Sequence, residues 1–192
     1  MKERESLNIA MIFYARPHLG GSGIMSTELT KELVKRKHNV YVISYPGTFL
    51  TREEEETGLK IRPVERIDYP CFKSEPFSST LGSQIIEVNR ELEGGFDIIH
   101  ANYAITHGEA ALLAQRRIKI KGWGNPKVIV TSHGSDIHTN GHHKLLRHSI
   151  EDTLDSADAI TFVSKFLQDE ARKLFQLRSY GEVIYNFVDE ER

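Results

Sequence analysis

The 192-residue sequence predicts a doubly wound α/β domain built on a mostly parallel, Rossmann-like sheet of six or seven strands. Three observations carry that prediction. Short apolar runs of strand length alternate with segments whose apolar residues recur every three to four positions. A glycine-rich turn, Gly20-Gly21-Ser22-Gly23, separates the first apolar run from the first helical pattern. The next apolar run then arrives too soon for anything except a β-α-β crossover onto a parallel neighbour.

The elements follow in order. Leu7 to Ala15 (LNIAMIFYA) is apolar and short, the signature of a strand buried on both faces. In Ile24 to Lys37, Met25, Leu29 and Leu33 recur every four residues with Val34 beside them, which makes one apolar helix face. Asn39 to Ser44 (NVYVIS) is the second strand. Pro46 to Gly58 holds a turn and the run Glu53 to Glu56, read as a solvated loop rather than an acidic docking patch. Leu59 to Val64 reads as a short strand, and Asp68 to Ser79, with two prolines, as a long irregular loop. Leu81, Ile85, Val88 and Leu92 make Ser79 to Glu93 an amphipathic helix that stops at Gly94-Gly95. The alternation continues through strand Asp97 to Ala101, helix Gly108 to Arg117, strand Lys127 to Ser132 and helix His143 to Leu154. Strand Ala159 to Val163, helix Lys165 to Phe175 and strand Glu182 to Asn186 complete it, with no internal repeat.

Composition narrows the functional classes. Lys+Arg 25 against Asp+Glu 27, with no long basic run, lacks the electrostatic footprint of a dedicated nucleic-acid binder. No apolar stretch approaches the roughly 20 residues of a bilayer span, and the opening MKERESLN has no apolar signal region. The single cysteine, Cys71, makes neither an internal disulfide nor a cysteine metal site. One cytoplasmic domain, residues 1–192, is the expectation.

In a doubly wound sheet the ligand lies outside the carboxyl ends of the strands, so the residues after each apolar run are the candidates. These are Gly20 to Gly23, then Asn102, Tyr103 and Thr106-His107, then His133-Gly134-Ser135-Asp136, then Ser164 as a helix cap, and finally Asn186 and Phe187. Backbone N–H groups of the glycine loop, at the positive end of the following helix, suit an anion such as a phosphate or carboxylate. The same glycines also serve a tight turn and close helix packing. His133 and Asp136 lie in a sharp strand-to-loop turn. There an imidazole can hydrogen-bond a sugar hydroxyl or polarise a reacting group; a histidine satisfied by neighbouring backbone is the other reading.

Other chemistries fit less well. Gly21-x-Gly23-x-x-Ser26 lacks the third glycine of a dinucleotide fingerprint, and the second strand ends in Ser44-Tyr45 with no acidic residue for a ribose. No GxxxxGK[ST] and no G-x-S-x-G elbow occur. His133, Asp136, His138, His142 and His143 are the densest group of potential zinc ligands, but they lack HxxxH helical spacing with a supporting glutamate, and His142-His143 read instead as the start of an exposed helix. No metal is expected. Cys71 reads as an ordinary loop thiol.

Four segments taken together resemble the N-terminal domain of family-four retaining glycosyltransferases of the GT-B fold, in particular their bacillithiol-type branch. They are GGSGIMSTELTKEL (Gly20 to Leu33), DIIHANYAITHGEAALLA (Asp97 to Ala114), VTSHGSDI (Val130 to Ile137) and EVIYNFVDEER (Glu182 to Arg192), in matching order and spacing over nearly the whole chain. The resemblance implies a UDP-sugar donor, a small acceptor and no cofactor. It places Gly21, Ser22 and Gly23 near the donor diphosphate and acceptor, with Tyr103 and Thr131 on the acceptor. His133 and Asp136 of the HGxD motif fall beside the reacting sugar as the catalytic candidates, and Asn186 near the hinge. Asn102 stands where bacillithiol-type sequences usually show His, Thr106 replaces Pro, Ser135 replaces Thr, and the loop Arg16 to Leu19 is its own. These departures surround the acceptor pocket and leave the acceptor open, with L-malate implied by resemblance alone. GT-B enzymes hold the nucleotide sugar in a second domain with an E-x7-E motif, absent from this chain, so the expectation is an acceptor-binding half that is inactive alone. The alternative is a non-catalytic module for an anionic metabolite, or a natural half that pairs with a separate donor-binding subunit.

Overall fold

The structure, a computed structural model, describes residues 6–17, 20–67, 71 and 76–187. Seven parallel strands form one sheet: β1 (Asn8–Ile12), β2 (Asn39–Ser44), β3 (Lys60–Pro63), β4 (Ile98–Asn102), β5 (Lys127–Ser132), β6 (Ala159–Phe162) and β7 (Glu182–Val183). Their spatial order is β3-β2-β1-β4-β5-β6-β7. The chain builds outward from β1 to β3, returns, and builds the other way from β4. The carboxyl ends of β1 and β4 therefore flank the topological switch point, where such sheets open a crevice.

Six helices cover the sheet: α1 (Gly21–Lys35), α2 (Arg52–Glu56), α3 (Phe77–Glu91), α4 (Glu109–Lys121), α5 (Arg147–Ser156) and α6 (Lys165–Leu174). Alternate residues of each strand feed opposite faces. Ala10, Ile99, Ala101, Val128 and Val130 join Leu81, Ile85 and Val88 of α3 and Ala110, Ala114 and Ile118 of α4 in the larger core. Ile9, Met11, Val40 and Val42 pack on Leu29, Leu33 and Val34 of α1 in the smaller one. Among the described residues no helix is long and apolar enough to cross a membrane.

Local chemistry moves several expected boundaries. The run Glu53 to Glu56 is helical rather than a loop, because Thr51 and Glu54 form a capping box: Thr51 Oγ1 accepts from the Glu54 N–H (3.3 Å) and Glu54 Oε2 from the Thr51 N–H (2.8 Å). Glu54 is buried and meets Arg16 Nε at 3.4 Å, so it is not solvated either. α3 starts at Phe77, before Ser79; of the loop expected over Asp68 to Ser79, residues 68–70 and 72–75 lie outside the described residues. α4 runs past Arg117 to Lys121 and ends on Gly122, whose φ of 68° makes the left-handed cap. α5 begins at Arg147 rather than His143, because residues 143–146 form a separate turn, with the Leu146 N–H on the His143 carbonyl (3.0 Å); His142 ends a short turn before it and does not open a helix. β7 pairs only through Glu182 and Val183, so the expected strand to Asn186 is cut short. Cys71 is exposed.

Candidate active site

The loop after β4 carries the greatest backbone strain. Tyr103 has φ 89° and Thr106 φ 64°, both in the region that favours glycine. Side chains there cost about 1–3 kcal/mol each and persist only where neighbours over-determine them. For Tyr103 three bonds do so. Its N–H donates to the Thr131 carbonyl (2.9 Å), its carbonyl accepts from the Gly108 N–H (3.0 Å), and its hydroxyl donates to Ser22 Oγ (2.7 Å). The Thr106 N–H donates to Glu109 Oε2 (3.1 Å), tying the turn Ala104–Gly108 to the start of α4. The strained loop thus ties the first turn of α1 to the ends of β4 and β5.

Beneath it lies a buried polar network. Asn102, only 2% exposed at the end of β4, donates through Nδ2 to the Ile12 carbonyl (3.2 Å). Its Oδ1 accepts from Ser26 Oγ (3.0 Å) and lies 2.7 Å from His133 Nε2. A parallel chain joins His100 Nε2, Thr131 Oγ1 and Thr161 Oγ1, at 2.7 and 2.6 Å. His107 Nδ1 bonds the Asn102 carbonyl, while its Nε2 is buried without a partner. Burial lowers all three imidazoles, His100, His107 and His133, to about 4, so each is neutral near pH 7. The sequence singles out His107 only as one of the residues after β4, without a role, and does not single out His100 at all.

Asp136 faces inward. It is 1% exposed, and its carboxylate accepts from the Ala104 N–H (3.3 Å) and the Gly134 N–H (3.2 Å), bracing the strained loop against the turn that carries His133. Burial pushes its carboxyl above the usual range, against the downward pull of these bonds.

The first turn of α1 supplies the electropositive element. Its cap residue, Gly20, has no side chain to bond the leading N–H groups, and no acid sits in the first turn. A Cβ at Gly20 or Gly21 would meet nothing within 4 Å, so their backbone is open to approach. Gly23 is buried. A cleft of about 300 Å³ runs beside this helix along the sheet face, lined by Met25, Leu29 and Leu33 on one wall and by His100, Thr131 and His133 on the sheet, with Asn186 at its far side.

The expected site residues therefore fall into three groups. Thr131, His133 and Asn186 line the cleft; Gly21, Ser22 and Tyr103 form the adjoining rim; Gly23 and Asp136 are buried behind them. The histidine-rich stretch does not converge in the same way. His138 and His142 have ring centroids 6.4 Å apart, and among the described residues no group of three or more His, Cys, Asp or Glu is placed to hold a metal ion.

Fold and crevice together define a Rossmann-like α/β domain with a cleft beside the switch point of a parallel sheet. Residues 19–192 match the family described as Glycosyltransferase Family 4, and the chain belongs to that family. It is 32% identical over 175 residues to N-acetyl-alpha-D-glucosaminyl L-malate synthase of Bacillus anthracis, an alignment covering 91% of this chain and 44% of the relative. The chain thus spans less than half the length of that curated relative. Among solved structures, Anabaena Alr3699/HepE in complex with UDP and glucose superposes with a TM-score of 0.67 at 15% identity, over 95% of this chain and 45% of that one. The calicheamicin glycosyltransferase CalG4 superposes with a TM-score of 0.53 at 10% identity, over 98% and 55%. The fold is thus that of GT-B glycosyltransferase neighbours.

Proposed function

We propose that this chain is the acceptor-binding half of a cytoplasmic, metal-independent, retaining glycosyltransferase that moves a sugar from a UDP-sugar to a small acceptor. One observation carries the reading: the uncapped first turn of α1 is joined by the Ser22–Tyr103 hydrogen bond to a ring whose centroid lies 5.3 Å from that of His133, which lines the cleft with Thr131. An anion held by the N–H groups of Gly21, Ser22 and Gly23, whether donor diphosphate or acceptor carboxylate, then lies beside a neutral imidazole. Tyr103 and Thr131 orient the acceptor, and Asn186 borders the cleft from the side where a second, nucleotide-binding half would close. His133 hydrogen-bonds the reacting sugar, and Asp136 acts by holding the turn that aims it. One cleft wall supplies only part of the contacts a transition state needs, so residues 1–192 alone transfer no sugar in this reading.

The test is transfer by a longer protein containing this chain and a donor-binding half, assayed against a panel of UDP-sugars and small acids. We expect turnover there, and a loss of about two to four orders of magnitude in His133→Ala at unchanged melting temperature. Binding of small anions by the glycine loop with no transfer from any UDP-sugar would favour the non-catalytic module. A destabilised His133→Ala with normal turnover would remove His133 from the mechanism.

A further inference from the structure

We propose that Asn102 is a positioning residue: its amide holds His133 in the tautomer protonated at Nε2, leaving Nδ1 as an acceptor for the hydroxyl of a bound sugar or acceptor. The argument follows from which atoms can donate. The Ile12 carbonyl can only accept, so the amide group that faces it at 3.2 Å is the NH₂ of Asn102. The opposite orientation would set two acceptors against each other at a site that is 2% exposed. With the amide so fixed, Oδ1 points to Ser26 and His133. Ser26 Oγ donates to it at 3.0 Å, and the imidazole nitrogen 2.7 Å away must carry a proton as well. A neutral imidazole has one N–H, so the remaining nitrogen, Nδ1, bears the lone pair. Among the described residues Nδ1 has no hydrogen-bond partner, and His133 lines the cleft.

The chain of constraint runs from the end of β1, through a buried amide on β4, to the ring after β5. Each link is backbone or a side chain anchored in the sheet, so the tautomer is set by the fold before any ligand arrives. His133 held this way accepts a proton or hydrogen bond at Nδ1 and does not donate one to the ligand. The functional part of this inference rests on the reading of His133 as a site residue; the tautomer itself does not.

The two are tested separately. On the 192-residue chain labelled with ¹⁵N-histidine, long-range ¹H–¹⁵N correlation at neutral pH distinguishes protonated from unprotonated ring nitrogens, with His133 assigned by the signals lost in His133→Gln. We expect Nε2 protonated and Nδ1 bare. In Asn102→Leu the lock is gone, and we expect His133 shifts averaged between tautomers, with His100 signals unchanged as the mark of an intact sheet. In Asn102→Asp the carboxylate still accepts, so Nε2 stays protonated while the imidazole titrates at higher pH. Protonation at Nδ1 in the parent chain, or an Asn102→Leu spectrum identical to it at His133, overturns the proposal. In the longer protein Asn102→Leu should lower kcat about 10- to 100-fold with little change in KM, and Asn102→Asp should move the acid limb of the pH profile upward. Absence of transfer by any form of the longer protein would sink the glycosyltransferase reading and leave the tautomer result standing.

Discussion

Acid should unfold this domain early, and His107 should account for a measurable share of the loss. Its ring is buried beside Tyr14, at 4.9 Å between centroids, with Nδ1 on the Asn102 carbonyl and no partner for Nε2. Burial lowers it from 6.5 to about 4, against the upward pull of the Asn102 bond, with the nearby His133 adding to the depression. Because the folded value is below the unfolded one, the unfolded chain binds more protons between those two values. The stability is therefore fully present above about pH 6.5 and lost as pH falls toward 4. Integrating that difference from pH 7 to pH 5 gives about 2 kcal/mol for this one imidazole. His100 and His133 shift in the same direction, but the three interact, so about 6 kcal/mol, the value for three independent imidazoles, is a ceiling for the trio rather than its expected value. The assay is urea unfolding of the parent chain and His107→Gln at pH 7 and pH 5. The variant is less stable at both, and the loss between the two pH values is the quantity read. We expect it to be smaller in His107→Gln by about 2 kcal/mol. Equal losses in the two proteins would refute the argument, since His107 would then titrate alike in the folded and unfolded chain.

Other perturbations follow from the geometry. Glu54→Ala removes half of the capping box and the Arg16 partner, and should lower stability by about 1–2 kcal/mol in thermal unfolding, whereas Glu53→Ala, exposed on the same turn, should stay within about 0.5 kcal/mol. Gly108→Ala would place a Cβ 2.5 Å from Thr153 Cγ2 in the buried seam between α4 and α5; we expect a loss of about 1–3 kcal/mol with the helical circular dichroism retained. Tyr103→Phe and Ser22→Ala each delete the same 2.7 Å hydrogen bond, so a double-mutant cycle on thermal stability should return a coupling of about 0.5–1.5 kcal/mol, and strictly additive effects would show that the two side chains do not meet.

The sheet was legible because its strands are local signals. Asn39 to Ser44 and Lys127 to Ser132 carry the apolar runs Val40-Tyr41-Val42-Ile43 and Val128-Ile129-Val130, and the structure places β2 and β5 on those same residues. The acidic turn was misread for a different reason. Charge alone says solvent, but Thr51-x-x-Glu54 is also a capping-box spacing, and that pattern was the available signal for α2. The late start of α5 had none. Residues 143–146 form a turn closed by the Leu146 N–H on the His143 carbonyl (3.0 Å), and the segment before it is fixed by tertiary contacts: the Asp136 carboxylate bonds the backbone of another loop, and a Cβ at Gly141 would lie 3.1 Å from both Leu174 and Phe175. The last strand stops short of Asn186: the Ile184 N–H still donates to the Phe162 carbonyl of β6 (2.9 Å), and from Ile184 to Asn186 the side chains line the cleft.

The site was legible only where a motif advertised it. His133 and the glycine turn stand out in sequence because three glycines cluster in Gly20-Gly21-Ser22-Gly23 and a histidine follows an apolar strand directly. His100 does not, for it sits inside an apolar strand and its relevance comes from pairing in register with Ile129 while its ring reaches Thr131. Tyr103 and Thr106 hide in the opposite way. Positive φ is normally announced by glycine or asparagine, and here a tyrosine and a threonine adopt it, which no local preference would forecast. The strain at Tyr103 is held mostly by partners far away in sequence, the Thr131 carbonyl and the Ser22 hydroxyl, together with the nearby Gly108 N–H. A conformation that local sequence opposes and distant contacts enforce lies within reach of the cleft, at the switch point of the sheet. A glycine at Tyr103 would relieve the backbone but lose the Ser22 bond and the ring contacts to Tyr14, His107 and His133, so the strain persists because the side chain that suffers it also makes the contacts that hold it.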